Sequence, residues 1–216
     1  ASVLVGDFLY SRAFQMMVSV DRMRVLDVLA EATNVIAEGE VLQLMNMHDP
    51  DTSVEDYLRV IRYKTAKLFE ASARIGAVLA DATPEVEAAC AAYGQSLGTA
   101  FQIVDDLLDY EGATTELGKN VGDDLREGKP TLPLLHAMSH GTAAERDLIR
   151  QAIEHGEVER LDEIIQIVRR TGALDATRQA ARDEAQRAQQ HISTLPPSQF
   201  KDALLTLSVL AVDRNF

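Results

Sequence analysis

The chain has 216 residues, of which 46% are hydrophobic and 25% charged, and it carries a net charge of −13 at pH 7. Such a chain is long enough to bury a sizeable core as one domain. Its acidic balance excludes nucleic acid as a partner, because gripping a phosphate backbone needs Lys and Arg in excess. The lone Cys90 excludes a disulfide framework and a thiolate metal site. No apolar run is long enough to span a membrane and no targeting segment is visible, so the cytoplasm is the expected location.

Apolar residues recur at helical spacing throughout, and no period-two strand stands out. A first helix is expected over about residues 2–18, with Leu9, Tyr10, Ala13, Phe14 and Met17 on its apolar face. A long second helix covers about 21–47, filled by Met23, Met45 and Met47. Residues 48–53 read as a turn in which Ser53 and Asp56 resemble a capping box. A third helix follows over about 54–80, and Thr83-Pro84 caps a fourth that runs to about 110. Residues 111–129, with four glycines, form the longest irregular stretch, of a length that is usually functional or disordered. Shorter helices are expected at 130–138, 142–155, 157–170, 173–192 and 198–212, with Thr142 and Glu145 as a second capping box. The charged segment from about residue 142 onward reads as an outer layer. The fold class is all-α, and residues 1–216 read as one domain. The opening Ala1 lacks an initiator Met and already sits in helical register, which reads as a piece of something longer.

The stretch Phe101–Tyr110 stands apart. At about 100° per residue, Gln102, Asp105, Asp106 and Asp109 fall within an arc of about 100°. Phe101, Ile103, Val104, Leu107 and Leu108 occupy much of the remaining circumference. Ionised carboxylates among apolar neighbours are costly unless paired or bound to a metal. Hard oxygen ligands without Cys or His suit Mg²⁺, which in such sites is usually shared with phosphates. On spacing alone, an N-capped or salt-bridged acidic patch is the alternative. A calcium loop is excluded, because Leu107 takes the place of an oxygen ligand.

Other candidates each have a duller reading. Lys64 could pair with a diphosphate oxygen and Thr65 could present oxygen to a developing cation, or the two are a surface lysine and a tolerated helical threonine. Lys119, Asp124 and Lys129 punctuate the glycine-rich stretch as a lid over phosphates would, or as a solvated loop would. Residues 123–127, where helical periodicity is gone, read as mainly structural, with Arg126 and Lys129 able to neutralise the acids. His136 and His140, at a helix end, read as capping rather than metal-ligating. Cys90, flanked by alanines, reads as a packed thiol.

Together the phrases Leu4-Val5-Gly6-Asp7, Tyr63 through Phe69, Phe101 through Asp109, and Gly118-Lys119 through Gly128-Lys129-Pro130-Thr131-Leu132-Pro133 resemble the trans-polyprenyl diphosphate synthases, in particular the bacterial long-chain, octaprenyl-type branch. The resemblance implies an isoprenoid-synthase helical bundle around a central apolar cavity, Mg²⁺ dependence and a homodimer. It implies condensation of isopentenyl diphosphate with an allylic diphosphate such as farnesyl diphosphate, giving octaprenyl chains for quinones, with at most peripheral membrane contact through the product. On the matching positions, Asp105 and Asp109 would bind Mg²⁺ directly or through water, supported by Asp106, and Asp124 would orient the metal side. Lys64, Lys119 and Lys129 would hold the allylic diphosphate, while Thr65 and Gln102 would stabilise the cation. The family's earlier aspartate-rich motif and basic N-terminal segment are not among these residues, so this chain by itself is expected to show little or no synthase activity. A non-catalytic partner subunit and a metal-dependent binding module without chemistry are the competing readings. Terpene cyclases weigh less, since their second metal motif normally uses Asn, Ser or Glu ligands. Phe14 and Met17 are candidates for limiting product length.

Overall fold

The computed structural model describes residues 2–111 and 121–213, and every regular element among them is helical. In chain order these are α1 (Ser2–Ser19), α2 (Met23–Asn46), α3 (Val54–Ile61), a π-helical turn (Arg62–Ala66) and α4 (Lys67–Leu79). There follow α5 (Pro84–Glu111), α6 (Asp123–Arg126), α7 (Leu132–His140), α8 (Ala143–His155), α9 (Leu161–Arg170), α10 (Ala173–His191) and α11 (Gln199–Asp213). None of these helices is long and apolar enough to cross a membrane.

The local start signals act as the sequence suggests. Ser53 Oγ accepts the backbone N–H of Asp56 at 3.0 Å. At α8, Thr142 Oγ1 accepts the N–H of Glu145, whose carboxylate accepts the N–H of Thr142 at 2.8 Å, so two otherwise orphaned donors are satisfied.

Helix α5 is the axis of the bundle. It spans 28 residues, about 42 Å at 1.5 Å per residue, and lies between α4 and α10. Its lower half approaches α4 so closely that a Cβ on Gly94 would sit 2.3 Å from the carbonyl oxygen of Phe69. Its upper half enters the main core through Ile103, Val104 and Tyr110. The segment from residue 142, expected as an outer layer, is more than that. Helices α8 and α9 are amphipathic, and Ile149, Ile153, Ile164 and Val168 are fully buried in the same core as Ile103 and Leu134. Their charged faces dominate the composition while their apolar stripes fill the interior.

The third expected helix differs in one respect. The turn Arg62–Ala66 widens to π geometry between α3 and α4. Two glycines on other helices make room for it. A Cβ on Gly39 of α2 would lie 2.5 Å from the backbone nitrogen of Lys64, and a Cβ on Gly98 of α5 would lie 2.6 Å from Cα of Ala66. The widened turn is thus clasped between two bare backbones, and it carries Lys64 and Thr65. Such π turns are frequent at functional sites.

Helix α1 packs on α2 and fully buries no side chain, leaving Val3, Leu4, Phe8, Leu9 and Met16 exposed.

Candidate functional site

The clasped π turn faces the C-terminal half of α5, and the two elements are joined by hydrogen bonds. Thr65 Oγ1 donates to Gln102 Oε1 at 2.9 Å, and Gln102 Nε2 donates to Asp106 Oδ1 at 2.8 Å. The other oxygen of Asp106 accepts from the Tyr57 hydroxyl at 2.7 Å. The structure thus brings Lys64-Thr65 and the aspartates of α5, far apart in sequence, to the same height.

The three aspartates of α5 meet different surroundings. Asp106 points inward and is 4% exposed, with both oxygens bonded to Tyr57 and Gln102. Asp105 is half-buried and lines the cavity beside it. Asp109 accepts the backbone N–H groups of Asp123 and Asp124, each at 3.2 Å, and so anchors the start of α6. Residues 123–126, expected to lack helical periodicity, form that single turn because Asp109 supplies acceptors for its free N–H groups. Asp123 pairs with Arg126 on the outside. Asp124 turns into the cavity and accepts from Lys129 at 3.0 Å.

The cavity has a volume of about 240 Å³ and is lined by Lys64, Thr65, Gln102, Asp105, Asp106, Asp124 and Lys129, together with Tyr57 and Gln43. Its cations are held at the rim. Lys64 reaches Glu40 at 2.7 Å and Gln43 at 3.1 Å, and Lys129 reaches Glu127 at 2.6 Å. Lys119 lies outside the described residues. Sequence reasoning missed Tyr57, Glu40, Gln43 and Glu127. Of these only Tyr57 had a signal, since Tyr57, Ile61 and Thr65 recur at i, i+4 and i+8.

Negative charge is crowded here. Burial, reinforced by the charge of Asp124, pushes the Asp106 carboxyl up to about 7 despite its hydrogen bonds from Tyr57 and Gln102. Burial and Asp124 likewise push Asp109 up to about 6, against the two backbone N–H groups that favour its ionised form. Asp124 is raised by burial, with Lys129 opposing. Burial works against the charge on Lys129, but Glu127 and Asp124 outweigh it and raise that lysine above its ordinary value. The local lysines do not balance these acids, and a divalent cation would. Among the described residues no three His, Cys, Asp or Glu side chains form a ready-made metal cage. Mg²⁺ takes one or two carboxylates and completes its shell with water and phosphate oxygens, and Asp105 and Asp124 line the cavity with carboxylates of that kind. The donor set therefore fits a hard cation shared with a phosphate ligand. His136 and His140, by contrast, stack on each other at 4.0 Å at the end of α7, away from this cavity.

Comparison with known proteins agrees with this geometry. A family model described as polyprenyl synthetase matches residues 1–168. The chain belongs to the polyprenyl synthetase family. Octaprenyl diphosphate synthase of Escherichia coli (strain K12) is 55% identical over 216 residues, covering 100% of this chain and 67% of that protein. The octaprenyl diphosphate synthase of Haemophilus influenzae is 54% identical over 217 residues, covering 100% of this chain and 66% of that protein. A polyprenyl synthase from Caulobacter crescentus CB15, solved with calcium and isoprenyl diphosphate, superposes with a TM-score of 0.94 at 46% identity, over 100% of this chain and 66% of that one. This polyprenyl synthetase chain thus spans about two thirds of the length of the relatives it matches. Its helices are those of the all-α isoprenoid-synthase fold, and family membership implies use of a divalent metal.

Proposed function

We propose that the protein carrying this chain is a trans-prenyltransferase that condenses isopentenyl diphosphate with an allylic diphosphate, such as farnesyl diphosphate, to a long-chain polyprenyl diphosphate, with octaprenyl as the product. The observation that carries this reading is one cavity in which Asp105, Asp106 and Asp124 meet Lys64, Lys129 and the Thr65–Gln102 pair. Lys64 and Lys129 exchange their present carboxylate and amide partners for oxygens of the allylic diphosphate. Lys119 is proposed for the same role on the strength of its place in the matching phrase. Asp105 and Asp109, with Asp124, are the residues that would hold Mg²⁺, and Asp106 supports them from behind. When bound, the metal offsets the charge that builds on the departing diphosphate. Thr65 and Gln102 present oxygen atoms towards the carbon that becomes positive, in a pocket walled from water by Tyr57, Val60 and Ile61.

The reading takes residues 1–216 as one domain, supported by Ala173 and Ala181 sharing the main core with α3, α5 and α7. It takes the working state as a homodimer, and the apolar side chains that α1 exposes support a covering partner.

The test is pyrophosphate release and product length for the full-length protein with farnesyl and isopentenyl diphosphates. Long polyprenyl products that need Mg²⁺ and vanish with a chelator are expected. A folded full-length protein that releases no pyrophosphate with Mg²⁺ overturns the reading.

A further inference from the structure

We propose that Tyr57 is a positioning residue which, through Asp106, fixes the oxygen of the Gln102 amide towards the ionising carbon of the substrate; this rests on the prenyltransferase reading above. The two ends of a glutamine amide have nearly the same shape, and only their hydrogen-bond partners decide which way round it sits. Here the decision is made behind the cavity. Asp106 is 4% exposed and, as a carboxylate, accepts only; its Oδ1 takes the Gln102 Nε2 donor at 2.8 Å. The amide oxygen is thereby turned to the π turn, where it accepts from Thr65 Oγ1 at 2.9 Å. The donors run in one direction, Thr65 to Gln102 and Gln102 to Asp106, and the Tyr57 hydroxyl donates to Asp106 from the other side. The unused lone pairs of Thr65 and Gln102 are left for the cavity. A cationic carbon beside such oxygens is stabilised; beside a reversed amide it would face N–H groups and be repelled.

Tyr57 keeps this order because it cannot move. Its ring is 5% exposed in the main core with Ile61 and Ile103, and its hydroxyl occupies Asp106 Oδ2 at 2.7 Å. Without that hydroxyl the carboxylate loses one of its two anchors and swings on its χ angles, and the amide it holds is freed to reverse. On this account Asp106 acts on the reaction through Gln102, and the Tyr57 hydroxyl acts only through Asp106.

The test uses two non-reacting probes with the full-length protein and Mg²⁺. One is an allylic diphosphate analogue carrying an ammonium nitrogen in place of C3, and the other is its neutral saturated counterpart. By calorimetry, Tyr57→Phe should weaken the ammonium analogue tenfold or more while the neutral one stays within twofold. In turnover it should lower kcat by a similar factor, leaving KM for isopentenyl diphosphate and the Mg²⁺ half-saturation unchanged. In a Gln102→Ala background, Tyr57→Phe should produce no further loss. Equal weakening of both probes, or full additivity with Gln102→Ala, overturns the proposal. Failure of the underlying reading looks different: the wild-type protein then releases no pyrophosphate, while the two-probe comparison still reports the polarity of the amide.

Discussion

Replacing Gly98 by alanine tests the claim that a bare backbone on α5 makes room for the π turn. The new Cβ would lie 2.6 Å from Cα of Ala66 and 3.0 Å from Cβ atoms of both Ala66 and Phe69. Ordinary contact begins at 3.4 Å, so the turn must retreat by about 0.8 Å, and it is backbone rather than a flexible side-chain tip that has to move. Overpacking of this kind costs about 1–3 kcal/mol, and a clash with backbone belongs in the upper half of that range. Alanine regains about 1 kcal/mol of helix propensity over glycine. The net expectation is a loss of about 1–2 kcal/mol, or a melting temperature lower by about 3–6 °C for a domain of this size. Gly76 of α4 supplies the control, because a Cβ there meets nothing within 4 Å. Gly76→Ala should therefore raise stability by about 0.5–1 kcal/mol. The same retreat would stretch the 2.9 Å bond between Thr65 and Gln102 beyond hydrogen-bonding range. Calorimetric or urea unfolding of the two variants side by side decides the matter. A Gly98→Ala protein as stable as Gly76→Ala would refute the clasp.

Three further outcomes follow from the same structure. In metal-free protein, Asp106 and Asp109 hold their protons up to about 7 and 6, whereas an unfolded chain loses them near 4. Between about pH 4 and 7 the unfolded state therefore binds fewer protons, and the stability from these groups falls as pH rises. Melting temperatures measured from pH 5 to 8 should decline more steeply for wild type than for Asp106→Asn, and millimolar Mg²⁺ should restore the wild type at pH 8; identical slopes would count against the crowded-carboxylate account. Thr142→Ala removes the capping box of α8 and should cost about 1 kcal/mol, read as a lower urea midpoint with unchanged slope. Met17, half-buried on α1, is proposed to limit product length. Met17→Ala in the full-length protein should lengthen the products seen by chromatography, and an unchanged distribution would remove Met17 from that role.

What the sequence by itself determined is what local geometry governs. Helical periodicity depends on residues three and four apart, so the helices, the caps at Ser53 and Thr142, and the arc holding Gln102 and the three aspartates were all legible. The family followed from phrases of matching residues. Only the tertiary structure decided what those residues face. The π turn exists where Gly39 and Gly98 converge from two other helices, and nothing in Arg62–Ala66 records that encounter. Asp105, Asp106 and Asp109 look alike in sequence, yet one lines the cavity, one is buried under Tyr57 and Gln102, and one anchors α6. Helices α8 and α9 looked peripheral by composition and proved to fill the core. Hydrogen-bond direction, burial and the proton affinity of a carboxylate are set by neighbours brought from distant parts of the chain, and those neighbours exist only once it has folded.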